Sequence, residues 1–160
     1  MLFRSQWTPW ITVKEVTTVP KTRSQGGLLL VIDGPNAGTE PLGNRIVEMP
    51  DDVEQFELRD SNSLFSAYVP KGSIARGEAL AKGNSGKSLP CADCHGADLR
   101  GAGNVPGIAG RSPTYMVRQL YDFKNGTRAG TGAAQMKPVV DNLSVEDMIA
   151  LTAYAGSLAP

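Results

Sequence analysis

The feature that most constrains this chain is the pentapeptide CADCH at Cys91–His95. It contains both cysteines and the only histidine of the 160 residues. Two thiols separated by two residues and followed at once by an imidazole are typical of metal, cofactor or redox sites. We therefore expect a fold that brings these three side chains to one common site.

Three kinds of site are compatible with this pentapeptide. A redox dithiol usually lies where a strand meets a helix in a βαβ unit, whereas the flanks here are glycine-rich loop. A structural zinc site needs four ligands, so two cysteines and one histidine would leave it incomplete without a carboxylate. Attachment of a c-type haem uses both thiols for thioether bonds and the histidine as an iron ligand, and so accounts for the whole cluster.

A second axial ligand to such an iron would have to be a methionine, because the chain has no second histidine. Met116 and Met148 lie on the apolar stripes of predicted helices, where a role as core filler is sufficient. Met49 falls in the strand-rich half. Met136 lies between two helices in TGAAQMKPVVDNL, a predicted loop with Pro138 behind it. We therefore predict that Met136 is the distal ligand.

The first 70 residues are predicted to be β-rich or extended. Ile11–Val19 is β-branched and roughly alternating, which favours a strand. Gly26–Gly34, GGLLLVIDG, is predicted as a buried strand. Further short strands are predicted in NRIVEMP, VEQFELRD and FSAYVP.

The residues that follow show a helical period, and three helices are predicted there. They are Ser73–Gly83 with Ser73 as N-cap, Ser112–Gly126 with Ser112 as N-cap, and Leu143–Leu158 with a capping box between Ser144 and Asp147. Their predicted apolar stripes contain Met116, Leu120 and Phe123 on the second helix, and Val145, Met148, Ile149, Thr152, Ala155 and Leu158 on the third. The predicted fold class is therefore mainly α, preceded by a β-rich or extended segment.

Charge and hydropathy exclude some classes of function. Residues 1–69 carry six basic and nine acidic side chains, and residues 70–160 carry ten and seven. A basic patch strong enough to bind nucleic acid is therefore not expected. No stretch approaches the ~20 apolar residues of a membrane span, and MLFRSQWTPW lacks the features of a signal peptide.

The motifs in the second half resemble those of bacterial class I c-type cytochromes. The matching residues are CADCHG, GIAGRSPTYMVRQLYDFKNGTR, MKPVV and LSVEDMIALTAYAGSL, in that order, within Lys71–Leu158. They are most similar to the second haem domain of dihaem periplasmic cytochromes c. The resemblance implies a cytochrome c domain at 71–160. It also implies that 1–70 is a segment connecting two haem domains, in a chain that begins after the first.

The resemblance implies roles for ten residues. Cys91 and Cys94 would attach haem c, and His95 and Met136 would be the iron ligands. The carbonyl of Pro106 would accept the N–H of the proximal ring. Further residues near the haem would be Ile108, Arg111, Tyr115, Leu120 and Phe123. The first and last helices would cross, with Gly77 permitting close approach near Tyr154.

The implied function is one-electron transfer in a periplasmic respiratory or dehydrogenase-linked chain, by a carrier rather than an enzyme. Its expected partners are redox proteins such as a dehydrogenase, an oxidase or another cytochrome, with a preceding haem domain in the full-length protein. Two alternatives stay open from the sequence. If Met136 does not bind iron, an open-site haem enzyme or gas sensor is favoured, and without covalent haem Cys91 and Cys94 would form a dithiol oxidoreductase.

Overall fold

The computed structural model of the protein describes residues 8–160, in which a strand-rich part precedes a helical part. The first seven residues of MLFRSQWTPW, where no signal peptide was predicted, lie outside the described range. The strand-rich part comprises β1 (Ile11–Val16), β2 (Thr18–Pro20), β3 (Thr22–Gln25), β4 (Leu28–Val31), a 3-10 turn (Gly34–Asn36), β5 (Thr39–Pro41), β6 (Val47–Pro50), helix α1 (Val53–Glu57) and β7 (Phe65–Pro70).

A three-stranded sheet with the order β1-β7-β6 is the centre of this part. β1 runs parallel to β7, with Ile11 opposite Phe65, and β6 runs antiparallel to β7. The pairs β2–β5 and β3–β4 are separate two-stranded ribbons. Val19, Leu42, Val47 and Met49 form a small buried core between these elements.

Two predictions for this part were wrong and one was incomplete. The first five residues of VEQFELRD form α1 and not a strand, because Asp52 caps the helix by accepting a hydrogen bond from the Gln55 amide at 3.0 Å. The strand predicted as buried in Gly26–Gly34 is the hairpin strand β4, in which only Leu30 is buried. The long strand predicted from Ile11 is interrupted at Thr17, where the carbonyl accepts from the Leu42 amide.

The helical part has more elements than the three helices predicted for it. It comprises α2 (Ser73–Ala81), α3 (Ala92–His95), the two-residue strands β8 (Gly101–Ala102) and β9 (Val105–Pro106), α4 (Pro113–Asn125), α5 (Ala133–Val140) and α6 (Val145–Ser157). The capping predictions for α4 and α6 are confirmed: Ser112 accepts from the Tyr115 amide, and Ser144 and Asp147 form a capping box. The N-cap of α2 is Gly72, so the prediction of Ser73 was wrong by one residue.

The crossing of α2 over α6 is the closest helix contact in the core. A Cβ placed on Gly77 would lie 1.9 Å from the Ala150 carbonyl oxygen and 2.8 Å from the Tyr154 Cβ. The predicted approach of Gly77 to the last helix is therefore confirmed. Leu80 and Leu151 are buried beside this contact.

The predicted stripe of α6 is also largely confirmed, since Met148, Ile149, Thr152 and Ala155 are buried. Val145 is exposed, because it lies in the first turn outside the helix contact. Between residues 8 and 160, no helix has both the length and the hydropathy that a bilayer crossing needs. β7 ends at Pro70 and α2 begins at Ser73, on either side of the predicted domain boundary after residue 70. The boundary itself stays a prediction.

Candidate haem site

The two thiols and the imidazole lie on one short helical turn anchored to the end of α2. The Cys91 amide donates to the Ala81 carbonyl at 2.9 Å, and the His95 amide donates to the Cys91 carbonyl at 2.9 Å. Cys91 is partly buried and Cys94 is exposed, and neither is in a disulfide. The end of α2 thus anchors the first residue of the pentapeptide.

The imidazole ring of His95 is oriented by the β8–β9 hairpin. Its Nδ1 lies 2.7 Å from the Pro106 carbonyl oxygen. The hairpin packs tightly under this contact, because a Cβ on Gly101 would lie 2.8 Å from the Gly107 nitrogen and the Val105 oxygen. Gly101 also has φ +98, a backbone conformation that favours glycine. A carbonyl can only accept, so Nδ1 carries the proton and Nε2 of the neutral ring keeps its lone pair.

An apolar cluster packs against this turn at Cys91. Its fully buried members come from α2, α5, α6 and the chain before α6, and include Leu80, Val140 and Leu143. The partly buried side chains packed against it are Cys91, Val117, Leu120, Phe123, Met136 and Tyr154. The structure therefore brings four of the predicted site residues, Cys91, Leu120, Phe123 and Met136, to one cluster.

Met136 lies in helix α5 and not in a loop as predicted. The loop was predicted for the segment between two helices, with Pro138 behind Met136. Proline removes one helical hydrogen bond and is unusual in a helix interior. The helix nevertheless runs from Ala133 to Val140 with Pro138 inside it. Val140 is fully buried and Met136 partly buried against the same cluster, so packing of this face stabilises the helix.

The remaining predicted site residues lie at the margin of the cluster or outside it. The Ile108 amide donates to the Leu99 carbonyl at 2.8 Å, and its side chain is partly buried. Arg111 is exposed, and Tyr115 is 49% exposed on the first turn of α4. The structure does not bring Arg111 or Tyr115 into the apolar cluster.

Two of the partly buried cluster members were not singled out as site residues from the sequence. Val117 lies three residues before Leu120 and therefore on the same face of α4, so the helical spacing could have identified it. Tyr154 was noted only for its approach to Gly77. Its position in the cluster depends on the helix crossing, which has no local sequence signal.

Two observations disfavour the sites that compete with haem, which are the redox dithiol and the zinc site. Burial raises the pKa of the Cys91 thiol, and its thiolate is the form needed for dithiol exchange. Across the described residues, 8–160, no three His, Cys, Asp or Glu side chains are close enough to hold a metal ion together. A zinc site therefore lacks ligands in this part of the chain.

The residues present fit a haem. The two thiols lie on one helical turn, the adjacent imidazole has its Nδ1 held by a carbonyl, and an apolar cluster containing a thioether lies beside them. These are the groups that covalent attachment, axial ligation and an apolar pocket require. The fit involves no residue of the strand-rich part.

The sequence profile of the family described as "Cytochrome c" matches residues 74–159. Cytochrome c4 of Stutzerimonas stutzeri is 31% identical over 165 residues, covering 87% of this chain and 76% of that protein. Cytochrome c-552 of Acidithiobacillus ferridurans is 38% identical over 95 residues, covering 58% of this chain. The cytochrome subunit of sulfide dehydrogenase of Chlorobaculum tepidum is 46% identical over 57 residues, covering 36% of this chain and 46% of that protein.

The chain spans only 40% of the length of cytochrome c-552, so most of that relative lies outside the match. The match to the family profile nevertheless covers the CADCH turn, the apolar cluster and α6 in one continuous stretch. The resemblance stated from the motifs is thereby confirmed, and the mainly helical fold of the second half agrees with it. The chain belongs to the cytochrome c family, whose members carry electrons on haem c.

Proposed function

We propose that this chain is a one-electron carrier whose haem is bound covalently by Cys91 and Cys94 and held axially by His95 and Met136. We further propose that it works in the periplasm, in a respiratory or dehydrogenase-linked chain. When bound, haem c supplies an iron couple that accepts and releases one electron. The residues of the chain supply attachment, orientation and shielding from water.

The observation that carries the proposal is the 2.7 Å contact between His95 Nδ1 and the Pro106 carbonyl. This hydrogen bond determines the tautomer, so that Nε2 is the free donor atom of the ring. It also restrains rotation of the ring, which fixes the direction in which Nε2 points. A carbonyl partner of this kind raises the basicity of a ligating histidine. Pro106 has no N–H of its own, and its position on β9 keeps the acceptor in place.

The assignment of Met136 rests on its neighbours. The thioether is partly buried against the same cluster that receives Cys91, Leu120 and Phe123. A methionine on the distal side raises the reduction potential relative to a second histidine. With both axial positions taken by side chains, the site would have no open position for a substrate, which supports a carrier rather than an enzyme.

The proposed partner is a dehydrogenase that passes electrons to this chain, with an oxidase or another cytochrome as acceptor. One relative is the cytochrome subunit of a sulfide dehydrogenase, which supports this class of donor. The helical half carries ten basic and seven acidic side chains, a small excess that favours a transient encounter. The periplasmic location is proposed because c-type haem is attached to proteins outside the cytoplasm.

Met136→Leu tests the ligation. Leucine keeps the volume but removes the sulfur, and Met→Leu exchanges usually cost less than about 1.5 kcal/mol. We expect the near-red charge-transfer band of methionine-ligated ferric haem to disappear and the reduction potential to fall. The measurement is the native ferric absorption spectrum after expression with a haem-maturation system, together with a redox titration.

Met49→Leu is the matched control, because Met49 is buried in the core of the strand-rich part. It should keep the band. Haem that stays with the denatured chain in both variants would support attachment through Cys91 and Cys94. Loss of the band in Met116→Leu or Met148→Leu, with retention in Met136→Leu, would contradict the distal assignment. Absence of covalent haem from the denatured wild-type chain would contradict the proposed function as a whole.

A further inference from the structure

The strand-rich part contacts the N-terminal ends of three helices in the haem domain through polar side chains. Glu15 on β1 accepts a hydrogen bond from the Ile74 amide in the first turn of α2 at 2.8 Å. Asn44 donates to the Glu146 carboxylate in the first turn of α6 at 2.7 Å. Glu48 on β6 contacts the start of α4. These contacts join residues 59 to 102 positions apart in the chain.

The contact of Glu48 is the most extensive of the three. Its two carboxylate oxygens accept from the Ser112 hydroxyl at 2.8 and 2.9 Å. One of them also accepts from the Thr114 amide at 3.2 Å. The Ser112 oxygen in turn accepts from the Tyr115 amide at 3.0 Å. Glu48 therefore completes the cap of α4 from another part of the chain, at the helix end where a negative charge is stabilising.

The position of Glu48 makes this cap rigid. It lies between Val47 and Met49, both buried in the core of the strand-rich part, and is paired opposite Ala67 within the sheet. The carboxylate is partly buried. The helix that it caps carries Leu120 and Phe123, which pack against the same cluster as Cys91 and Met136. A displacement of the first turn of α4 would therefore be transmitted to the predicted haem pocket.

We propose that Glu48 is a positioning residue for the haem pocket, and that it acts by holding the first turn of α4 through Ser112 and Thr114. The inference rests on the proposed function, since it takes α4 as a wall of the haem pocket. It gives the strand-rich part a specific role. That part fixes the helix that shields the haem from water, in addition to preceding the haem domain in the chain.

The direction of the change in reduction potential separates positioning from a charge effect. Removing a negative charge near the iron disfavours the ferric state and raises the potential. Fraying of α4 admits water, which favours the ferric state and lowers the potential. We expect Glu48→Ala to lower the potential. Glu48→Gln keeps an acceptor oxygen for Ser112 and Thr114 but has no charge. We expect its reduction potential to lie close to that of the wild-type chain.

Hydrogen exchange of the purified chain provides a second readout, which does not depend on electron transfer. The loss of a cap costs about 1 kcal/mol, which corresponds to roughly fivefold faster opening of the capped turn. We expect the Thr114 and Tyr115 amides to exchange about fivefold faster in Glu48→Ala and near the wild-type rate in Glu48→Gln. Glu54→Ala removes an exposed carboxylate from α1 and serves as the matched control. It should change neither the exchange nor the potential.

The outcomes distinguish this inference from the proposed function. If the wild-type chain carries covalent haem but the potential rises equally in Glu48→Ala and Glu48→Gln, the role is electrostatic and positioning is wrong. Unchanged exchange at Thr114 and Tyr115 would also overturn it. If Glu48→Ala does not fold, Ser112→Ala takes its place, because it removes the hydroxyl that links Glu48 to Tyr115. Ser112→Ala should also lower the reduction potential.

Discussion

Gly77→Ala is expected to lower the free energy of unfolding by about 3 kcal/mol, the upper end of the usual cost of overpacking a core, although alanine is the better helix former. Alanine gains ~1 kcal/mol of helix propensity over glycine. Its methyl group, however, would lie 1.9 Å from the Ala150 oxygen and 2.6 Å from the Ala150 carbonyl carbon. Both atoms are backbone, so the clash is relieved only if α2 and α6 move apart and their buried contact opens.

The same separation should reduce haem attachment, because the Cys91 amide is bound to the Ala81 carbonyl at the end of α2. For a chain of this size, 3 kcal/mol corresponds to a fall in Tm of about 10 °C. Thermal unfolding followed by circular dichroism measures the first effect, and the haem-to-protein absorbance ratio measures the second. Both should be recorded on the same purified samples.

Gly130→Ala is the control for this substitution. Its added Cβ would have no neighbour within 4 Å, so we expect a change within about 0.5 kcal/mol. Equal stability of Gly77→Ala and the wild-type chain would show that the helices can shift at little cost. In that case the close crossing of α2 and α6 would not determine the position of the CADCH turn.

The features that could be predicted from the sequence are those set by neighbouring residues. Ser112 followed by Pro113 identifies the start of α4, and the Ser144–Asp147 pair identifies the start of α6, because caps act over three or four residues. The CADCH turn is equally local. Its chemistry could be predicted because few kinds of site use two thiols and an imidazole at this spacing.

The features that could not be predicted depend on contacts between distant residues. The parallel pairing of β1 with β7 joins Ile11 to Phe65 and has no turn signal to announce it. The helix around Met136 forms despite Pro138, because burial of Val140 offsets the lost hydrogen bond. The cap that Glu48 supplies to α4 spans 64 positions. In each case a contact between distant residues determined a feature that no local signal indicates.

The positions of the site residues show the same division. Leu120 and Phe123 follow the helical period and reach the apolar cluster. Arg111 and Tyr115, whose proximity to haem was implied only by the family resemblance, are exposed. Periodicity constrains which face of a helix is buried, whereas a polar residue at a helix end can turn to solvent. Their contribution to haem binding stays a prediction.

Asp147→Asn is expected to lower the free energy of unfolding by about 3 kcal/mol at neutral pH. The Asp147 side chain is only 1% exposed and accepts from Lys87 at 3.0 Å, from Arg76, and from the Ser144 amide and hydroxyl. Asparagine keeps the shape but loses the charge that strengthens these hydrogen bonds, each of which is worth about 1.5–3 kcal/mol. Because Arg76 and Lys87 are about half exposed and asparagine can still accept hydrogen bonds, we expect a loss of about 3 kcal/mol, well below the sum of these contributions.

The dependence of this effect on pH follows from the pKa of Asp147. Burial alone would raise the pKa, but hydrogen bonds from the Ser144 amide, Lys87 and Arg76 outweigh it and hold the pKa well below its usual range. The stabilisation is therefore complete above the pKa of the unfolded aspartate, near 4, and is lost as the pH falls toward the lower folded-state pKa. Urea unfolding should show a large difference between Asp147→Asn and wild type at neutral pH and a smaller one in acid.

Asp141→Asn supplies the comparison that isolates burial from charge. Asp141 pairs with Lys137 on the surface of α5, where both side chains are about half exposed. Exposed pairs of this kind contribute about 0–1 kcal/mol, so the substitution should have little effect at any pH. Similar losses in the two variants would mean that the buried carboxylate does not hold the start of α6 to α2 and the loop carrying Lys87. A loss confined to Asp147→Asn would show that the ion pairs of Asp147 with Arg76 and Lys87 hold α6 to α2 and to the loop that follows it. The end of α2 in turn anchors the CADCH turn.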